Sequence, residues 1–170
     1  MSLSIYEVSV PTITRAVTQL GAVLEKGRLF AEHEKIDQAV LLATRLYPDM
    51  FTLARQVQVA TDNAKGCVAR LANVEVPKYE DTETSLAQLQ ERCARTLAFI
   101  QSVKASQFEG AESRPVVLKF PNSTREFKNG WDYLLSFALP NVYFHFTTAY
   151  AILRHVGVKV GKGDFLGPLG

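Results

Sequence analysis

Asn141, His145 and Thr148 fall at i, i+4 and i+7 in an otherwise apolar segment spanning residues 130–157. On a helix that spacing puts all three on one face. An imidazole in such a stripe can exchange a proton near neutral pH, accept a hydrogen bond or ligate a metal. Two readings stay open. The three groups can bond one another and buried water, as buried polar groups must. Alternatively they line a polar pocket that binds a small molecule or does acid–base work.

Metal chemistry finds little support in the pattern. There is no Cys-x-x-Cys, His-x-x-x-His or His-Glu-x-x-His, and a stable zinc or nickel site wants three or more such ligands. His145 and His155 are ten residues apart, about 80° around an ideal helix. Asp49 is the one carboxylate paired with His145 as a conceivable second ligand. His33, in Glu32-His33-Glu34-Lys35, reads as solvated. Arg154, Lys159 and Lys162 sit where cations complement a helix C-terminus. Cys67 and Cys93 read as reduced core residues.

Four periodic segments would have to position these groups. Residues 11–32 carry Ile13, Ala16, Val17, Leu20, Val23, Leu24 and Gly27 on one stripe, with Pro11 in the first turn. A connecting stretch, residues 34–47, contains Val40-Leu41-Leu42, either a short helix or an extended piece. Pro48 is read as the start of the second helix, residues 48–72, with Asp49 in its first turn and Asp62 solvated. The third, residues 82–103, has Asp81 as N-cap and Leu86, Leu89, Cys93, Leu97, Ile100 and Val103 inside. Glu91, Arg92 and Arg95 are assigned to its outer face. Residues 114–128 read as a small β-hairpin around Asn122-Ser123-Thr124. The fourth helix, 130–157, is apolar almost all round, with Pro140 expected to kink it and Gly157 to end it. Residues 158–170 read as irregular surface chain.

The expected fold is therefore all-α: a single-domain four-helix bundle with a small hairpin before the fourth helix. The chain has 170 residues, enough to bury roughly 70 % of its unfolded surface. A net charge of +2 gives no reason to expect nucleic acid or an anionic membrane as partner. No run approaches the ~20 apolar residues of a spanning helix, and the first residues do not resemble a secretory signal. A cytoplasmic protein is expected. The aromatic surplus of the fourth helix (Trp131, Tyr133, Phe137, Phe144, Phe146) suggests a homodimer.

Leu46-Tyr47-Pro48-Asp49-Met50, Gln56-Val57 and Ala69-Arg70-Leu71 resemble an uncharacterised branch of the DinB/YfiT-like superfamily. So do Asn141-Val142-Tyr143-Phe144-His145-Phe146-Thr147-Thr148 and its continuation to Gly157, and Gly161-Lys162-Gly163-Asp164-Phe165-Leu166-Gly167. The resemblance covers nearly the whole chain. It implies an antiparallel up-down-down-up bundle, often dimeric, in which many members are metal-dependent, including thiol-dependent transferases and isomerases. Their usual site is three histidines, one on the second helix and two at i, i+4 on the fourth. Aligned on Leu153-Arg154, His145 matches one ligand, Asn141 stands at another and Gln56 lies near the third. The resemblance therefore implies a degenerate site, with no cofactor expected and a divalent metal the minority case. The leading expectation is a protein of unknown activity acting through a small-ligand pocket of His145, Asn141, Thr148, Gln56 and Asp49, or through its dimer surface. The alternatives are a metal-dependent transferase or isomerase, and a pure interaction module.

Overall fold

Ser4 begins the first helix. Its hydroxyl accepts the Glu7 N–H at 3.2 Å, and the Glu7 carboxylate accepts the Ser4 N–H at 2.8 Å, a reciprocal capping box. The computed structural model describes residues 3–168. This cap starts α1 (Ile5–Glu34) ahead of Pro11, correcting the start expected at that residue. Pro11 lies on the exposed side, where water can serve the Glu7 carbonyl that lacks a helical donor. Ile13, Ala16, Val17, Leu20, Val23, Leu24 and Gly27 are buried, as their spacing predicts. The connecting stretch forms a short helix, α2 (Gln38–Ala43), which buries Leu41 and Leu42 and leaves Val40 exposed.

α3 (Leu53–Leu71) starts at a Thr52 N-cap, not at Pro48. The intervening turn has its own partners. The Leu53 N–H donates to the Thr44 carbonyl at 2.8 Å, and Arg45 Nη1 reaches the carbonyls of Pro48 and Met50 at 3.2 Å. Asp49 is thereby left in an exposed turn. α4 (Leu86–Ser102) is capped by Ser85 rather than Asp81, whose carboxylate is engaged by Arg55 and Arg92. α1 and α3 each lie against both α4 and the last long helix, so the four enclose one shared core.

β1 (Val116–Phe120) pairs antiparallel with β2 (Ser123–Phe127), Val116 opposite Phe127 and Phe120 opposite Ser123. The hairpin leans on the bundle through Val116, Leu118 and Phe127, whose ring centroid lies 5.3 Å from that of Tyr133. The fourth apolar segment is three pieces: α5 (Gly130–Tyr133), a π turn over Leu134–Ala138, and α6 (Leu139–His155). Leu139 donates to Leu134, an i to i−5 bond, and the wider turn makes room for the Pro140 ring. Gly157 follows at φ +104°, a left-handed ending suited to glycine.

The C-terminal stretch corrects the expectation of irregular surface chain. Val158 and Val160 are buried, and α7 (Lys162–Leu166) packs on α1. Phe165 stacks on Phe146 at 4.2 Å, Lys26 pairs with Asp164 at 2.7 Å, and Arg15 Nε donates to the Leu166 carbonyl. No described helix is long and apolar enough to cross a membrane.

Candidate functional site

His145 is carried to the inner face of α6 by the same periodicity that buries Val142, Phe146 and Ala149, and it is 8 % exposed. Across from it, α3 buries Gln56 between Leu53 and Val57. The His145 Nδ1 and Gln56 Oε1 are 2.7 Å apart. An amide oxygen only accepts, so Nδ1 carries the proton. Gln56 is itself oriented, its Nε2 donating to the Phe51 carbonyl at 3.4 Å. Two aromatic rings flank the imidazole: Phe51 nearly parallel at 6.3 Å, and Phe144 edge-on at 5.1 Å. Both are about half exposed.

His145 Nε2 makes no hydrogen bond among the described residues. Ser9 Oγ is the one buried, unpartnered side-chain polar atom among them, so Nε2 is reached by solvent. Burial first, and then the charge of Arg55, hold the imidazole below its ordinary pKa. At neutral pH the ring is therefore neutral, with a lone pair on Nε2 available to a ligand.

Asn141 and Thr148 share the face of His145 but bond neither it nor each other. Asn141 Nδ2 donates to the Phe137 carbonyl and Thr148 Oγ1 to the Phe144 carbonyl, each at 2.7 Å. Both are back-bonds onto their own helix, so the reading in which the stripe is bonded to itself is corrected. Asp49 lies in the exposed turn that also carries Phe51, and among the described residues it makes no hydrogen bond to His145. None of four clefts of 210 to 460 Å³ on the surface is lined by His145.

The donor set does not suit a three-ligand transition-metal site. Gln56 spends its oxygen on Nδ1, Asn141 turns toward Phe137, and amides are poor ligands for zinc or nickel. Among the described residues no three His, Cys, Asp or Glu side chains lie close enough to hold a metal ion.

A second polar centre runs against the sequence reading. Arg92, assigned to the outer face, has a wholly enclosed side chain. Its Nε donates to Thr61 at 2.8 Å, Nη1 to Glu83 at 2.9 Å and Nη2 to Asp62 at 2.7 Å, and Asp81 forms an ion pair with Nη2 at 3.1 Å. Asp62, read as solvated, also pairs with Lys65 at 2.9 Å. The Tyr79 ring has Lys65, Arg92 and Arg95 within 4.4 to 5.3 Å. Burial raises the Glu83 pKa, but hydrogen bonds from Arg92 and Gln58 outweigh it and leave the carboxyl below its usual value. The missed signal was spacing: Leu89, Arg92 and Thr96 lie at i, i+3 and i+7 beside Cys93, on the buried face.

Cys67 and Cys93 are both buried and unbonded, as expected, and burial pushes each thiol up to about 12. His33 is exposed beside Glu34.

The family described as a domain of unknown function (DUF1993) matches residues 5–166. The crystal structure of a DinB family member protein from Shewanella denitrificans superposes with a TM-score of 0.87 at 39 % identity, covering 97 % of this chain and 93 % of that one. No curated protein matches. With the family matched over almost its whole length and a solved relative this similar, the chain belongs to the DUF1993 family of DinB-like proteins.

Proposed function

We propose that this DinB-like protein binds a small molecule at His145, in a site that does not assemble three metal-ligating side chains. One observation carries the reading: Nδ1 is committed to Gln56 at 2.7 Å while Nε2 is left open. A neutral imidazole fixed in that tautomer presents one acceptor in a fixed direction. The ligand it suits offers an N–H or O–H to Nε2 and an apolar body to Phe51 and Phe144. The same lone pair can take a proton from a bound group.

The test is metal analysis of protein purified without a histidine tag, alongside ring ¹⁵N spectra of His145 during a screen of small hydrogen-bond donors. The expected result is far less than one equivalent of zinc or nickel and a ligand-dependent shift at Nε2. His145→Leu should abolish that shift with helicity intact. About one equivalent of metal held through His145 would instead favour the metal-dependent transferase or isomerase reading.

A homodimer is the second part of the proposal. Tyr133 and Phe146 of the aromatic surplus are spent on the core, and Trp131 and Phe137 are half-buried. Leu135, Phe144, Tyr47 and Phe51 stay exposed, Phe51 and Phe144 against the His145 ring. These four supply the apolar surface a second copy would cover.

A further inference from the structure

Arg70 has no carboxylate partner among the described residues. Its Nη1 donates to the buried Tyr133 hydroxyl at 3.2 Å, and its guanidinium lies across the backbone of Gly66, where any β-carbon would collide with it. The glycine thus lets a long cation lie flat along α3. Arg70 then opens into a cleft of about 210 Å³ between α3 and the hairpin.

The chemistry of that cleft is lopsided. Phe120 of β1 and Phe137 of the π turn supply two aromatic walls. Lys119 lies at its edge, and the Arg125 guanidinium sits 5.9 Å from the Phe120 ring and 5.5 Å from the Phe137 ring. Asp62 also lines it, but that carboxylate is already taken by Arg92 and Lys65. Two cations, Arg70 and Lys119, therefore line a cleft whose one acid is neutralised, and a third, Arg125, sits against both of its aromatic rings.

We propose that this cleft binds a small aromatic carboxylate, its carboxylate on Arg70 and its ring against Phe120 and Phe137. A guanidinium presents a planar fork that matches a carboxylate with two parallel hydrogen bonds. The phenyl walls reward a flat apolar body, which an inorganic anion lacks. The volume suits one ring and its substituent, below the roughly 300 Å³ at which sites for drug-sized ligands begin. This site is separate from His145. Gln56 and Arg70 are fourteen residues apart on α3, about 21 Å along the axis.

The experiment titrates the full chain with sodium benzoate at constant ionic strength and follows backbone amide shifts, with sodium phosphate and benzyl alcohol as comparators. Benzoate should give saturable shifts at Asn63, Lys119 and Phe120, and both comparators should bind about tenfold or more weakly. Arg70→Gln should weaken benzoate about tenfold or more, since it removes a hydrogen bond from a charged donor. Arg125→Gln, on the exposed hairpin, should weaken it roughly twofold to threefold, as befits a surface charge, and it decides the matter should Arg70→Gln fail to fold. The proposal is overturned by equal binding of phosphate, by unchanged affinity in the variants, or by no saturable shift at these amides. A benzoate response confined to His145 and Gln56 would also overturn it, while supporting ligand binding at His145.

Discussion

Glu83 Oε1 lies 2.9 Å from Nη1 of Arg92, and the arginine side chain is cut off from solvent. Glu83 belongs to the crossover between α3 and α4, so this contact and those to Asp81 and the Glu80 carbonyl pin that crossover to the bundle. Arg92→Met should therefore destabilise the fold by about 3 kcal/mol, because it leaves a mostly buried carboxylate without its counter-ion. Urea unfolding measures it. A loss under about 1 kcal/mol would show that solvent reaches Glu83 easily once the arginine is gone.

The same carboxylate should mark the acid limb of stability. Glu83 titrates below its ordinary 4.5 in the folded chain, so the unfolded state binds more protons just below that pH. Its contribution is fully present above pH 4.5 and is lost as pH falls through the folded value. Glu83→Gln should flatten that part of the stability curve, measured by urea midpoints from pH 6 down to 3.

His145 makes a second pH-dependent term with its own window. Its folded pKa is also depressed, from 6.5, so the native ring stays neutral while the unfolded one takes a proton. Stability should fall as pH drops below 6.5 and level off once the folded ring also protonates. His145→Leu should remove this slope with little loss at pH 7.5, since an apolar replacement demands no partner. Gln56 would then lose a bond, which bounds the benefit. Thermal melts of both proteins between pH 5 and 7.5 give the comparison.

Neither thiol should react in the native state. Cys67 and Cys93 are buried and titrate near 12, leaving almost no thiolate at pH 8. A thiol-reactive dye should count no cysteines in native protein and both after denaturation. Rapid labelling of native protein would mean that the bundle core opens frequently.

The proposed homodimer is checked by sedimentation at micromolar concentration. Phe144→Glu should shift it to monomer without loss of helicity, because Phe144 is 57 % exposed and outside the core. A wild-type monomer would leave Phe51 and Phe144 as a ligand-facing rim only.

The stripes of the long helices were legible because each faces one core: Leu20, Val57 and Ile100 needed only their spacing to be placed. Helix starts were not, because caps compete. Pro48 and Asp81 have the chemistry of a beginning, yet Thr52 and Ser85 have hydroxyls set where the next turn can use them. Arg92 was misplaced because charge suggests solvent, and only the tertiary arrangement shows three carboxylates converging on it from α3 and the crossover. At the candidate site the pairing of His145 with Gln56 joins two helices 89 residues apart in sequence, a relation no local pattern encodes. Family resemblance supplied it. Periodicity placed Asn141 and Thr148 on the right face but could not show that each would bond backward to its own helix.

The π turn before Pro140 also explains why the last helix looks apolar on every side. One surplus residue in a turn advances everything after it by about 100°. A wheel drawn through the segment as one regular helix superimposes two stripes that are out of phase, one holding Tyr133 and Leu134, the other Val142, Phe146 and Ala149. The rod is geared. Its first part meshes with the hairpin through Tyr133 and Phe137, and its second with α1 and α3. The offset uncouples the two registers, so the aromatic wall near Arg70 and the imidazole facing Gln56 can each be tuned without turning the other out of place.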